Sequence, residues 1–229
     1  MVVNKALFRW SGWCAIIFGL LGLVAYISHS AALEFSMGVP PTPEGLIEIY
    51  GRGGIQAGYL LEYISLFFFL PALIGMALFL KGRSPGRAMV GLGFGFAYFI
   101  GVFLLSAMTW GIINLVSDPG RRVDEAFKAK VALLNLVGES IFYPLLGMGF
   151  LFFLLWGFAF RQGNIAERWV GNTFLLEATM VVLTFLFFAL QLDTLASVGI
   201  LLQTVITAAA FIMGGITLLG ASPEGYHTL

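Results

Sequence analysis

The sequence predicts an all-α integral membrane protein, a single domain over residues 1–229. Six transmembrane helices form its bundle, and both termini lie on the same side. Of the 229 residues, 59% are hydrophobic and only 10% are charged, whereas a soluble domain carries about 25% charged residues. The mean hydropathy is +0.95. Six segments reach the roughly 20 apolar residues that a membrane-spanning helix needs.

The six predicted spans cover approximately residues 10–29, 56–80, 89–116, 131–160, 173–192 and 197–220. The third and fourth are longer than a bilayer requires, so we expect them to tilt, kink or project beyond it. The first span has features of a signal peptide. Its apolar stretch is longer than a typical signal sequence, however, and the following "ISHSAA" is a poor cleavage site, so we expect an uncleaved helix.

Polar residues between the spans predict where several helices begin. In the longest connection, Thr42 is a suitable N-cap and Pro43 a suitable first residue for a short interfacial helix. Asn164 and Glu167 have the spacing of a capping box before the fifth span. Asp118 is a similar start signal before the fourth span.

Small residues inside the spans predict close packing between helices. Gly91 and Gly95 lie four residues apart, and Gly19 and Gly22 lie three apart. Such spacing lets helices approach closely in lipid, where hydrophobicity gives little drive for association. The pattern does not identify which helices pair.

The distribution of basic residues predicts the orientation. The side that holds both termini carries Lys5, Arg9, Lys81, Arg83, Arg87, Arg161 and Arg168. The other side carries Arg52, Arg121, Arg122, Lys128 and Lys130, partly offset by neighbouring acids. The positive-inside rule therefore predicts cytoplasmic termini and a multi-pass protein of the cytoplasmic (inner) cell membrane.

Three carboxylates fall within the predicted spans, where a charge is unfavourable and is by default a functional candidate. Counted from the start of each span at about 1.5 Å per residue, Glu62 lies about 9 Å and Glu139 about 12 Å deep from the outer side. Glu177 lies about 6 Å from the cytoplasmic end. We therefore expect Glu62 and Glu139 to share the outer leaflet, and Glu177 to reach toward the headgroups.

A candidate binding site surrounds the two outer acids. Asn135, Glu139 and Tyr143 are spaced at i, i+4 and i+8, which predicts one face of the fourth span, and Gln203 lies at a similar depth in the sixth. Pro144 frees a backbone carbonyl one turn upstream, near Glu139. The predicted site is a polar cavity open toward the outer leaflet, for a small or amphipathic ligand. Its lining is Glu62, Asn135, Glu139, Tyr143 and Gln203; His29 and Asn114 lie at a similar depth.

Other interpretations of these polar residues remain open. Buried acids can serve only as hydrogen-bonding glue between helices, as in an accessory subunit of a larger membrane complex. A proton-coupled transporter would use Glu62 and Glu139 as carriers, with a polar stripe in the fifth span connecting the two sides: Thr173, Glu177, Thr184 and Gln191. A metal site would have only one imidazole and two acids, His29 with Glu62 and Glu139, which is a thin ligand set.

The sequence lacks the signatures of several protein classes. It has no Walker A loop, nucleophile elbow or zinc-protease motif, so we expect no enzymatic activity and no cofactor. Its single cysteine, Cys14, excludes an intramolecular disulfide. Twelve basic residues balance twelve acidic ones, so no net charge favours nucleic acid. The expected partners are membrane lipids and other membrane subunits.

Two stretches, residues 58–96 and 160–171, resemble the bacterial membrane proteins grouped as domain of unknown function 4386. The resemblance rests on the Leu-Leu-Glu entry to the second span and on Ile165, Arg168, Trp169 and Gly171 of the later loop. Glu167 stands where that family usually has proline. The resemblance implies a six-span bacterial membrane protein without a known activity, so it transfers no functional residues.

Overall fold

The computed structural model of the protein describes residues 5–33, 42–118, 120 and 122–221, with the side chains of residues 29–33, 139 and 193 outside that description. Those residues form α-helices and no strands, which confirms the predicted all-α class. The helices are α1 Lys5–Leu33, α2 Pro43–Tyr50, α3 Gly53–Lys81, α4 Pro85–Ser117, α5 Glu125–Phe160, α6 Ile165–Ala189 and α7 Asp193–Leu219. All except α2 are long and apolar enough to cross a membrane, so the chain is a multi-pass membrane protein.

The helices are longer than the apolar segments that predicted them. Helix α6 starts at Ile165 after the Asn164 cap, eight residues before the predicted span, because its first two turns include the charged Glu167 and Arg168. It ends at Ala189, and Gln191 adopts a left-handed conformation (φ 56°) in the turn that follows. Gln191 therefore does not continue the polar stripe predicted for this span. Hydropathy identifies the part of a helix that is apolar enough for the membrane core. It does not identify the residues at which the helix begins and ends.

The six spanning helices form a closed ring. Each packs against its neighbours in sequence, and α7 returns to pack against α1. The turns at 82–84, 161–164 and 190–192 are too short for anything but antiparallel neighbours. The start of α1 and the end of α7 consequently share one end of the ring, which we call the terminal side.

Glycines set the distance between α1 and α7. A Cβ on Gly12 would meet the backbone oxygen of Gly215, and one on Gly19 would lie 2.8 Å from the backbone oxygen of Ala208. The two backbones therefore touch directly at these positions. On α4, by contrast, Gly91 and Gly95 make room for the side chains of α5, and the Trp156 ring fills the space over Gly91.

Aromatic side chains fill the ring on the terminal side. Phe174 of α6 lies 5.6 Å from Phe160, 6.1 Å from Trp156 and 5.9 Å from Phe211 between ring centroids. These four rings are all at most 1% exposed. Their burial closes the interior of the ring at this end.

An ion pair joins two of the terminal-side turns. Glu167 is only 2% exposed and pairs with Arg83 of the preceding helical hairpin. Asn164 donates to its other carboxyl oxygen (2.8 Å) and accepts from its backbone amide (3.1 Å), which confirms the predicted capping box. The guanidinium of Arg83 also stacks on the Phe79 ring. Arg83 thus supplies the counter-charge of the buried Glu167 carboxylate.

On the opposite side, α2 lies across the ends of α3, α4 and α5. The Thr42 hydroxyl accepts from the Gly45 amide, which confirms the predicted cap. Glu44 forms an ion pair with Lys128 at 2.8 Å. The hydrogen bond from that ammonium holds the pKa of Glu44 below its ordinary value, so the pair stays charged at neutral pH.

The predicted start signal at Asp118 is wrong. Asp118 follows the last residue of α4, and α5 begins only at Glu125. The N-cap of α5 is Asp124, whose carboxylate accepts from the Phe127 amide at 2.8 Å. Both aspartates suit a cap chemically, and the sequence pattern selected the wrong one.

We expect Gly19→Ala to destabilise the protein and Gly22→Ala to leave it as stable or more so. Both changes favour helix by up to about 1 kcal/mol. A methyl group on Gly19 would press on the α7 backbone, for which overpacking costs about 1–3 kcal/mol, whereas nothing lies within 4 Å of one on Gly22. Thermal unfolding in detergent measures the difference. Equal midpoints for the two variants would contradict the close α1–α7 contact.

Candidate binding cavity

A cavity of about 300 Å³ lies inside the helix ring. All six spanning helices contribute to its wall. The lining residues fall within 18–26 of α1, 62–69 of α3, 98–105 of α4, 142–153 of α5 and 200–211 of α7, together with Glu177 of α6. These segments are central in their helices, so the cavity lies nearer mid-height than the outer-leaflet position predicted from the sequence.

Most of the wall is apolar and aromatic. The Phe18 ring lies 4.8 Å from Phe69 and 4.7 Å from Phe211, and Phe69 stacks on Phe99 at 5.8 Å, between centroids. These four rings come from α1, α3, α7 and α4 and meet inside the ring. Together they form a continuous aromatic surface on the cavity wall.

Glu177 is the most buried acid of the cavity. Its side chain is 3% exposed, the Thr207 hydroxyl of α7 lies beside its carboxyl group, and its Oε2 has no hydrogen-bond partner among the described residues. The prediction that Glu177 reaches toward the headgroups is therefore wrong. It was derived from the start of the apolar segment, whereas α6 begins eight residues earlier and places Glu177 at mid-helix.

Two predicted site residues, Glu62 and Gln203, do line the cavity. The carboxylate of Glu62 accepts from the Ser106 hydroxyl of α4 at 3.3 Å. The Nε2 of Gln203 is buried without a hydrogen-bond partner among the described residues. The structure thus brings one predicted polar residue of α3 and one of α7 to the same cavity wall.

The two acids stand at different heights in the same cavity. Glu62 lies about 28 Å before the end of α3, and Glu177 about 18 Å after the start of α6, at 1.5 Å per residue. Both helix ends are on the terminal side, so the acids are separated by about 10 Å along the ring axis. The hydroxyl of Tyr98 is within electrostatic reach of both.

Of the residues predicted on α5, Asn135 and Tyr143 do not line the cavity. Tyr143 is 52% exposed and packs against the Phe142 and Phe185 rings, so its predicted place in the lining is wrong. Asn135 is half-buried and has an interaction partner. It lies nearer to α2 than Phe142, the first residue of α5 on the cavity wall. The side chains of Glu139 and His29 are outside the described residues.

The misplacement of Tyr143 has a geometric cause. Each step of four residues turns an α-helix by about 400°, so two steps carry a side chain about 80° around the axis. The cavity is lined instead by Phe142 and Leu146, with Leu145 between them. The helix runs through Pro144 without a break.

The alternative metal site of His29, Glu62 and Glu139 includes two side chains, His29 and Glu139, that lie outside the described residues. Within the described residues, no group of three or more His, Cys, Asp or Glu side chains is placed to hold a metal ion. Comparisons of the chain with models of protein families, with curated proteins and with solved structures found no match. The chemistry of the cavity is therefore the basis for any functional assignment.

Cysteine labelling tests whether a small reagent can reach the cavity. The method suits this protein because its only cysteine, Cys14, is 2% exposed and can be replaced. In a Cys14→Ser background we expect Gln203→Cys to react with a small methanethiosulfonate in the folded protein. Ala210→Cys, on the same helix but 0% exposed in the packed core, should react only after denaturation. Mass spectrometry of the labelled protein measures both. Equal protection of the two cysteines would contradict an accessible cavity.

Proposed function

We propose that this membrane protein is not an enzyme and that it binds a small, largely apolar or amphipathic molecule inside its helix ring. The observation that carries the proposal is the buried carboxyl oxygen of Glu177, which lines a cavity without a hydrogen-bond partner among the described residues. Leaving a buried polar group unsatisfied costs about 1–3 kcal/mol. A ligand that hydrogen-bonds to Glu177 would recover that free energy.

The composition of the cavity wall supports the same proposal. Ligand sites in proteins are typically concave, about 300–1,000 Å³ in volume, and apolar with a few convergent polar groups. This cavity is at the lower end of that range and has polar groups on α3, α6 and α7: Glu62, Glu177, Gln203, Thr204 and Thr207. The aromatic rings between them suit the apolar part of a ligand.

The structural-glue interpretation accounts for part of the polar network. The Ser106–Glu62 hydrogen bond joins α3 to α4, and Glu177 with Thr207 joins α6 to α7. Both contacts stabilise neighbouring helices of the ring. Glue alone does not account for the unpartnered atoms of Glu177 and Gln203.

A proton-coupled transporter is the second candidate function. The observation that favours it is the pair of acids at two heights of one cavity, Glu62 and Glu177, since transporters use such acids near mid-membrane. Transport would also require an opening through the aromatic core of the terminal side. We further propose that the terminal side faces the bacterial cytoplasm, because the basic residues of the short turns lie there.

Native mass spectrometry of protein purified gently from its own membrane tests the proposed function. We expect wild-type protein to carry a discrete added mass and Gly22→Leu to lose it. Gly22 lines the cavity with open space around it, so leucine would fill the cavity without a clash. Gly93→Leu is the matched control, because Gly93 also has open space but lies outside the cavity lining.

Two results would contradict ligand binding. One is the same bound species in Gly22→Leu as in Gly93→Leu, which would place that species outside the cavity. The other is wild-type protein without any bound molecule but with a membrane protein at fixed stoichiometry, which would favour the accessory-subunit interpretation.

A further inference from the structure

We infer that the ligand of the cavity is an amphipathic organic cation, a protonated or quaternary amine attached to an apolar body. This inference rests on the proposed function and adds the chemical class of the ligand. Three properties of the cavity wall carry it: the sign of its ionisable groups, its aromatic surface and the unsatisfied carboxyl oxygen of Glu177.

The ionisable groups on the wall are acids and phenols. Glu62 and Glu177 are the carboxylic acids, and Tyr26 and Tyr98 are the phenols. No Lys, Arg or His is found among the described residues of the lining. An anionic ligand would meet no counter-charge on the described wall, and either acid in its ionised form would repel it, which discriminates against fatty acids and phosphates.

The aromatic surface favours the same class. The faces of aromatic rings carry partial negative charge, and groups of such rings recognise quaternary ammonium ions. Phe18, Phe69 and Phe211 are mutually in contact, with centroids 4.7–5.3 Å apart, and all three line the cavity. A cationic head near these rings would gain attraction that a neutral group of the same shape would not.

Glu177 supplies the charge partner. A buried ion pair is favourable only when the remaining polar atoms are also satisfied. Thr207 lies beside the carboxyl group. A protonated amine would donate the hydrogen bond that Oε2 lacks, and a quaternary ammonium ion beside it would supply the counter-charge. Glu62, about 10 Å away along the ring axis, would face the other end of an elongated ligand or a second position of the same cation.

Two compounds of the same shape test the inference. Benzyltrimethylammonium is a cation, and neopentylbenzene has the same skeleton with carbon in place of nitrogen. We expect wild-type protein in detergent to bind the cation about tenfold or more tightly than the hydrocarbon. Isothermal titration calorimetry measures the affinity. Protection of Gln203→Cys from the methanethiosulfonate locates each compound in the cavity.

Charge-neutral variants identify the acid responsible. Glu177→Gln keeps the side-chain volume and should remove most of the preference for the cation, while binding of the hydrocarbon stays unchanged. Glu48→Gln is the matched control, since Glu48 is an exposed acid on α2 paired with Arg52. It should retain the full preference. The comparison of the two compounds on wild-type protein needs no variant. It therefore still tests the ligand class if Glu177→Gln does not fold.

The outcomes separate the inference from the proposed function. If neopentylbenzene binds wild-type protein as tightly as the cation, the ligand class is wrong and the binding function stands. If Glu177→Gln and Glu62→Gln both keep the preference, the acids do not cause it and the charge argument is wrong, while the binding function stands. If neither compound binds or protects Gln203→Cys, the proposed function and the inference both fail.

Discussion

Because α1 and α7 touch backbone to backbone through their glycines, the six spans close into a ring rather than an open row. A row of helices would bury its polar residues only between neighbours. Closure creates an interior between the helices, and polar side chains from α3, α6 and α7 share it. The contacts of Gly12 with Gly215 and of Gly19 with Ala208 therefore determine whether a cavity exists at all.

The interior of the ring is divided along its axis. On the terminal side, large rings interlock around Phe174 and leave no room, and the small residues of α4 allow Trp156 to enter between helices. Toward mid-height, the same helices present Gly19, Gly22 and Thr204 as well as rings, and the packing opens into the cavity. Along the ring axis, the side chains change from uniformly large on the terminal side to a mixture of large and small at mid-height. The cavity therefore lies between the closed terminal side and α2.

The sequence predicted the elements of this architecture better than their arrangement. Long apolar segments reveal spanning helices because few other structures satisfy the backbone in lipid. Thr42 and Asn164 were recognised because cap chemistry is local. Ring closure was not predictable, since glycine spacing does not identify the partner helix. The packing of helices decides which acids share a space, and no local pattern encodes it.

The errors at the candidate site follow from the same limit. Glu62 and Gln203 could be selected because Glu62 is the one carboxylate of α3 and Gln203 the one amide of α7, and both line the cavity. Tyr143 was included by helical spacing, but it lies about 100° around the helix from Phe142, on the far side of Leu146 from the other lining residues. Glu177 was excluded because its depth was measured from the apolar segment instead of the helix.

Glue and ligand binding are compatible roles for one carboxyl group, and Glu177 illustrates why. A carboxylate has two oxygens and about four acceptor positions, so a single neighbouring hydroxyl leaves acceptor capacity unused. Thr207 can hold α6 against α7 while Oε2 stays available inside the cavity. Glu167 of the same helix also has an Oε2 without a hydrogen bond among the described residues, but Arg83 supplies its counter-charge. No Lys, Arg or His lies among the described residues of the wall around Glu177, which is the physical reason to look for a ligand there.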